Sequence, residues 1–533
     1  MLRRLSTLLI AALLALVAGR VAALTQPEAL AIVQGDSDER IAALNTAAAA
    51  GDPALAAFVQ ALLDEEIRFD EQRVYRVQGP NGDSVTDAVT GAAATLPEAA
   101  EEPMLNNRLR GALQAALSGL NLASPDLGQR RAAVDDLLRA SLDEDQLPLV
   151  EKALARETDA DLQEKLTRLQ ATIQISSEDK ALRLKAAATL AASGQPAVAS
   201  LLQERLADGG EADPEVRAAL DAALKAVRGR LDWGERLGVM FTGLSLGSIL
   251  MLAALGLAVT YGLMGVINMA HGELIMIGAY ATYVVQNLFR NFLPELFDYY
   301  VLAAIPVAFL ASAAVGAVLE RGVIRWLYGR PLETLLATWG ISLILMQAVR
   351  SIFGAQNVAV ENPAWLSGGW QVLPNLILPY NRIAIGIFAA LVLAGMALLI
   401  ARTRLGLFVR GVTQNRRMAA CVGVHTARVD TYAFALGAGI AGLAGCALSQ
   451  VGNVGPDLGQ GYIVDSFMVV VLGGVGQLAG TVYAGLGLGL LNKLLEGWQG
   501  AVLAKIMVLV FIIGFIQKRP QGIFAVKGRS AEA

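Results

Sequence analysis

The stretch Ala401–Asp430, ARTRLGLFVRGVTQNRRMAACVGVHTARVD, decides how the rest of the chain is read. It is one long polar interruption in a run of apolar segments. Six arginines lie in it, Arg402, Arg404, Arg410, Arg416, Arg417 and Arg428, and no acid precedes Asp430. Arginine concentrated between apolar spans marks a cytoplasmic loop. Leu407, Phe408, Val409 and Val412, then Met418, Ala419 and Ala420, sit among polar residues in a pattern that predicts a short amphipathic helix. Gly423 then turns the chain towards the next span. Such a helix has apolar residues to bury and little span surface to bury them on. A partner protein docking from the cytoplasm completes it; the alternative is a solvated positive-inside loop.

Working outward, apolar segments of spanning length recur near Leu237–Tyr261, Leu274–Leu288, Val301–Glu320, Leu332–Phe353, Ile383–Ala401, Thr431–Val451, Ile463–Leu478, Thr481–Leu495 and Ala501–Ile516. Arg321, Arg325, Arg330, the Arg402–Arg428 loop and Lys518, Arg519, Lys527 and Arg529 fall on one side of them. Glu295, Asp298, Glu361 and Asp457 fall on the other, with Arg290 and Arg382. Nine crossings with the N-terminus outside satisfy this asymmetry. In an alternative the two short pieces Ile463–Leu478 and Thr481–Leu495 form a half-crossing hairpin, which leaves the parity of the crossings unchanged.

The preceding half has the opposite character. Between Leu24 and Glu235 there are 36 acidic residues against 21 basic, whereas from Arg236 onward 19 basic residues face 11 acidic. Met1–Ala23 carries Arg3 and Arg4, an apolar core from Leu8 to Val17 and the small residues Val21, Ala22 and Ala23, the pattern of a secretory signal peptide or of an uncleaved anchor. Either exports the residues after it. Residues 24–103 read as helices, then a strand at Arg73–Val77, a turn at Gln78–Asp83 and a return strand at Ser84–Val89, with Ala92–Pro103 a loose linker. Residues 104–230 read as an array of helical hairpins, HEAT-like in style, with Val216–Leu224 echoing Leu182–Leu190 at an offset of 34. The acids Asp64, Glu65, Glu66 and Asp143, Glu144, Asp145 read as solvated helix ends. The fold class expected is thus all-α: a polytopic membrane helix bundle at 237–519, with about eight or nine crossings, behind a signal peptide and a mostly helical exported domain.

Composition excludes several function classes. Two cysteines, Cys421 and Cys446, form no disulfide framework or CxxC site, and two histidines, His271 and His425, form no His-rich metal centre. No basic patch interleaved with aromatics points to nucleic acid. No Gly-Lys dipeptide occurs, so the GxxxxGK[ST] phosphate loop is absent and ATP hydrolysis by that route belongs to another chain. Asn268, His271 and Glu273 form a polar patch between the first two spans; they either cap a helix break or line a gate. Asn268, Gln347, Gln450 and Asn453 suit a path for a small hydrogen-bonding solute, and each also suits a simple interhelical hydrogen bond. Glycines recur in the later spans: Gly437, Gly439, Gly442 and Gly445 on one helix, Gly473, Gly474, Gly476 and Gly480 at a break. Small residues let helices approach in lipid, and broken helices are tolerated only inside protein or beside water.

Four stretches carry a family resemblance: Gly247–Tyr280 (GSILMLAALGLAVTYGLMGVINMAHGELIMIGAY), Arg330–Leu345 (RPLETLLATWGISLIL), Thr403–Val424 (TRLGLFVRGVTQNRRMAACVGV) and Phe467–Leu491 (FMVVVLGGVGQLAGTVYAGLGLGLL). In that order they resemble the permeases of branched-chain amino-acid and amide ABC importers, over nearly all of Leu237–Arg519. The long acidic extension resembles the urea branch of that family. The resemblance implies two ATPase subunits, a second homologous permease and a periplasmic substrate-binding protein as partners, in a bacterial inner membrane, with no cofactor. It implies that residues 402–430 couple to the ATPase. There Leu407 and Val412 would meet its groove and Arg410 and Arg416 its rim, Gly411 and Gly423 would allow close approach and the turn, and Asn415 and Ala419 belong to the same coupling segment. A branched-chain amino-acid permease, a stand-alone channel or proton-coupled carrier, and a membrane-anchored scaffold are the competing readings.

Overall fold

The computed structural model describes residues 24–50, 53–78, 84–97, 99–139, 146–207 and 210–524. The expected signal peptide, the Gly-Pro-Asn-Gly turn at 79–82 and the acids 143–145 lie outside these residues. The chain divides into two compact units between Leu231 and Asp232.

In the N-terminal unit, α1 (Gln26–Val33), α2 (Ser37–Ala50), α3 (Pro53–Leu63) and α4 (Asn107–Asn121) pack on a small antiparallel sheet, β1 (Ile67–Phe69), β2 (Val74–Gln78) and β3 (Ser84–Asp87). Ile32, Leu44, Leu55, Phe58, Leu62, Ile67, Val74, Leu109 and Leu113 form its core. The expected hairpin is β2–β3, in register from Tyr75↔Asp87 to Gln78↔Ser84. Sequence reading missed β1, three residues too short for periodicity to register. It also left 92–103 as a loose linker. The structure ties that segment to the sheet by bridges Thr86↔Ala93 and Phe69↔Glu101.

The next helices are α5 (Leu127–Leu137), α6 (Leu147–Leu154), α7 (Ala160–Gln174), α8 (Lys180–Leu190) and α9 (Pro196–Leu206), and then α10 (Pro214–Met264) begins. Asp126, Asp159 and Asp179 cap α5, α7 and α8 by accepting from backbone N–H groups of the first turn. One lock occurs twice. Arg130 of α5 donates to the carbonyls of Ser124 (3.0 Å) and Pro125 (3.2 Å) and pairs with Glu157 at 2.8 Å. Arg183 of α8 donates to those of Ser177 (2.8 Å) and Glu178 (2.9 Å) and pairs with Glu211 at 2.9 Å. Each glutamate also accepts from the backbone N–H of the next cap, Asp159 or Asp213. The two locks stand 53 residues apart at the arginine and 54 at the glutamate. By these locks the module is three helices long, a longer spacing than the 34-residue echo in the sequence. The 34-residue echo compares α8 with the start of α10, the first and third helices of one module.

In the membrane unit, α10 continues to Met264, followed by α11 (His271–Phe292), α12 (Tyr300–Gly322), α13 (Pro331–Phe353), a hairpin of β4 (Gly369–Leu373) and β5 (Leu376–Pro379), α14 (Tyr380–Arg402), α15 (Arg404–Gln414), α16 (Arg416–Cys421), α17 (Thr426–Ser449), α18 (Leu458–Gly473), α19 (Leu478–Gln499) and α20 (Ala501–Lys518). With two small sheets the chain is mostly helical, not all-α. Among the described residues seven helices are long and apolar enough to cross a membrane, in α10, α12, α13, α14, α17, α19 and α20. That is fewer than the eight or nine crossings expected. The two remaining segments are α11, a continuous helix of 22 residues that carries His271, Glu273 and Arg290, and the shorter α18. The second starts at His271, three residues before the expected boundary, after an irregular stretch at 265–270. The seventh, α18, has 16 residues because Gly474, at φ +100°, ends it five residues before the expected boundary.

The bundle is built round α17, buried along most of its length. Small residues make this possible. A Cβ at Gly442 would fall 2.4 Å from Ser312 Oγ and 2.5 Å from the Ala308 carbonyl oxygen, so α12 crosses α17 almost backbone to backbone. A Cβ at Gly459 would overlap Gly272, so α18 and α11 touch through their first turns.

Candidate functional site

Three arrangements position the residues singled out from the sequence. The first is the arginine-rich loop. It folds as two helices rather than one. Thr403 caps α15, accepting from Gly406 N–H at 3.3 Å, and Asn415 caps α16, accepting from Met418 N–H at 2.9 Å. Gly423, at φ +90°, turns the chain into α17. Val409, Val412 and Ala419 close a small core with Val429 and Ala433. Val412 and Ala419 thus hold the segment on its own bundle and are not free to meet a groove, a correction forced by helical phase. The residues left outward are Leu407 (61% exposed), Phe408, Met418 (61%) and Val422 (74%). Arg404, Arg410, Gly411 and Arg417 are exposed beside them. Nothing lies within 4 Å of a Cβ placed on Gly411.

The second arrangement joins that loop to the spans, and sequence reading missed most of it. Glu320, fully buried at the end of α12, pairs with Arg325 at 3.2 Å and accepts from Thr431 Oγ1 at 2.6 Å and Tyr328 Oη at 3.1 Å. Burial pushes the Tyr328 phenol up, so it stays a donor. Next to Thr431 in the chain, buried Asp430 pairs with Arg416, whose guanidinium also lies 5.1 Å from the centre of the Tyr328 ring. Two buried carboxylates from α12 and α17 are thus held by one arginine of the connecting turn and one of α16. Arg416 is thus a strut for Asp430, with 43% of its side chain still exposed. The signal available in the sequence was an acid, Glu320, closing an apolar span directly before arginines.

The third is the polar patch at the start of α11. Asn268 Oδ1 accepts from Ala270 N–H at 3.0 Å, His271 Nε2 lies 2.9 Å from the Ala253 carbonyl oxygen, and Glu273 Oε1 accepts from Ser342 Oγ at 2.7 Å. All three are buried, yet Asn268 Nδ2, His271 Nδ1 and Glu273 Oε2 have no hydrogen-bond partner among the described residues. Buried polar groups are normally paired, so this patch departs from simple helix capping. Tyr280, two turns along α11 from Glu273, is buried with its hydroxyl likewise unpartnered. Neither Ser342 nor Tyr280 was singled out from the sequence. Gln450 stands apart, donating through Nε2 to Tyr300 Oη at 3.2 Å while Asn381 donates to its carbonyl at 3.0 Å. Gln347 and Asn453 are exposed. The structure therefore brings Asn268, His271 and Glu273 together and leaves Gln347, Gln450 and Asn453 elsewhere. At the break expected around Gly473–Gly480, a Cβ on Gly480 would overlap Gly473, and one on Gly474 would fall 2.4 Å from the Phe524 carbonyl oxygen. Gly476 takes φ +80°.

These features define a class: a mostly helical protein with, among the described residues, seven helices long and apolar enough to cross a membrane. Comparison with known proteins gives the particular family. The family described as "Branched-chain amino acid transport system / permease component" matches residues 239–516, and the chain belongs to it. The high-affinity branched-chain amino acid transport system permease protein BraD of Pseudomonas aeruginosa is 29% identical over 290 residues, covering 53% of this chain and 94% of its own. LivH of Escherichia coli K12 is 29% identical over 289 residues with the same coverage, and LivM of Salmonella typhimurium is 27% identical over 304, covering 52% of this chain and 67% of its own. No solved structure matches the chain.

Proposed function

We propose that this chain is the membrane-spanning subunit of an ATP-driven importer, energised by ATPase subunits that dock on α15–α16 from the cytoplasm. The observation that carries the reading is the outward face of that segment. Val409, Val412 and Ala419 anchor it, while Leu407, Phe408, Met418 and Val422 stand exposed among arginines. Exposed apolar side chains rimmed by charge mark a protein contact. The N-terminal unit is periplasmic, the segment 402–430 and the C-terminus cytoplasmic, and a second homologous permease and a periplasmic binding protein complete the complex. LivH and LivM, both similar to this chain, are each named as permease proteins of one kind of system, which supports a paired permease.

The substrate in this reading is urea or a related small amide. Among the described residues of the membrane unit no lysine or arginine is buried, so nothing cationic waits inside the bundle for a carboxylate. The unpartnered amide and carboxyl atoms at Asn268 and Glu273 suit a neutral solute rich in N–H and C=O groups. The second reading is a branched-chain amino acid, favoured by what the matched relatives are named for. Uptake of labelled urea and labelled leucine separates them, in cells carrying and lacking the gene. Gene-dependent urea uptake supports the first, leucine uptake the second, and gene-independent uptake of both refutes the assignment to either solute.

A further inference from the structure

Beside the coupling segment a cavity of about 720 Å³ opens between the end of α12, the turn after it and the start of α17. Arg321, Arg325, His425 and Arg428 line it, and no acid does. Glu320 lies behind it, already paired with Arg325, and Asp430 is held by Arg416. Arg321 and Arg428 are exposed and have no ion-pair partner among the described residues. Two unpaired guanidiniums thus share one concave site with a third whose charge a buried carboxylate offsets. Guanidinium groups offer planar forks of donors that match phosphate oxygens. Both unpaired arginines lie in the terminal turn of an apolar helix, Arg321 at the end of α12 and Arg428 at the start of α17, which is the depth of a headgroup layer.

We propose that this cavity binds a phosphate-bearing group, that of an anionic phospholipid of the cytoplasmic leaflet. The orientation rests on the importer reading above; the charge and shape of the site do not. Basic pockets between spanning helices on the cytoplasmic side hold such headgroups, and each arginine near the surface adds to the attraction. A lipid seated there touches the turn after Gly423 and the start of α17 together, and so braces the coupling segment against the bundle.

The test uses the purified full chain in vesicles of phosphatidylcholine with and without phosphatidylglycerol, with retained lipid counted by native mass spectrometry. Wild type is expected to retain phosphatidylglycerol, and R321Q/R428Q to retain roughly tenfold less or lower still, for two charges removed. Lys518→Gln, a basic residue at another helix end, is expected to match wild type. Both arginines are exposed and unpaired, so an unchanged elution profile and helix content show that the double variant folds. Equal retention by wild type and R321Q/R428Q overturns the proposal. Displacement of the lipid by millimolar inorganic phosphate overturns the lipid source and makes the site one for a soluble anion. Unchanged lipid retention with loss of co-purifying ATPase shows a protein contact instead and also overturns it. Loss of lipid retention with ATPase binding intact supports the proposal, while failure of wild type to bind any ATPase refutes the importer reading and leaves the lipid result standing.

Discussion

Arg416 and Asp430 show how far a single residue's role depends on its partner. In the sequence Arg416 is one arginine of six in a solvated run, and losing an exposed ion pair costs about 0–1 kcal/mol. In the structure it neutralises a carboxylate that is 3% exposed. Removing one member of a buried pair strands the other charge, at a cost of about 3–5 kcal/mol. Arg416→Ala is therefore expected to lower the melting temperature of the purified chain clearly, while Arg417→Ala, exposed and without an ion pair among the described residues, stays within about 0.5 kcal/mol of wild type. Equal melting temperatures for the two variants would contradict the strut. In the N-terminal unit, the hydrogen bonds from Arg130 hold the Glu157 carboxyl down at about 2, below its ordinary 4.5. A depressed folded value means that the contribution is complete above the ordinary value and is lost as pH falls from there towards 2. Glu157→Gln is expected to be less stable than wild type near neutral pH, with the gap closing as pH drops through that window. A gap independent of pH would show that the lock is not ionic.

Among the elements, α17 rests on close approach. Gly442 faces Ser312 and Ala308 of α12, and a Cβ on Gly445 would overlap the Ile275 carbonyl oxygen of α11. Backbone cannot yield as a flexible side chain does, so Gly442→Leu and Gly445→Leu are expected to abolish a monodisperse folded species in detergent. Gly487→Leu on α19 meets nothing within 4 Å and is expected to leave it intact. Size-exclusion profiles of the three variants decide this, and a well-folded Gly445→Leu protein would contradict the packing. This part of the fold was legible in the sequence as glycine spacing, because steric need at a helix crossing leaves a composition trace. The two-helix break at Asn415 was not. A residue that caps α16 and the polar residues around it look alike on a loop, and only the helix phase shows that Val412 faces inward.

At the scale of the whole molecule, charge asymmetry made the two units and the arginine-rich loop visible, because a lipid-facing unit and an acidic one differ in composition. It could not count crossings. The seventh apolar segment leaves the helix at Gly474, and hydropathy does not record where a backbone does so. Nor could it find Glu320, whose partners come from residues up to 111 positions away. The proposed orientation has a native reporter. Cys421 is exposed on α16 and Cys446 is buried in α17. An impermeant maleimide is expected to spare Cys421 in intact cells and to label it after permeabilisation, whereas Ser200→Cys in the N-terminal unit reacts in cells whose outer membrane alone is opened. In such cells, labelling at Cys421 without labelling of the thiol introduced by Ser200→Cys would reverse the topology. The central claim, that α15–α16 is where an ATPase takes hold, is tested most directly at Gly411. An added side chain there meets nothing in the chain itself, so Gly411→Asp should leave the bundle folded and inserted. Against a partner's groove the same carboxylate is buried without a mate, a cost of several kcal/mol. The measurement is substrate-stimulated ATP hydrolysis by the reconstituted complex, with co-purification of the ATPase. The account predicts that Gly411→Asp loses both while melting as wild type does. Wild-type stimulation in Gly411→Asp would show that the segment is only a linker.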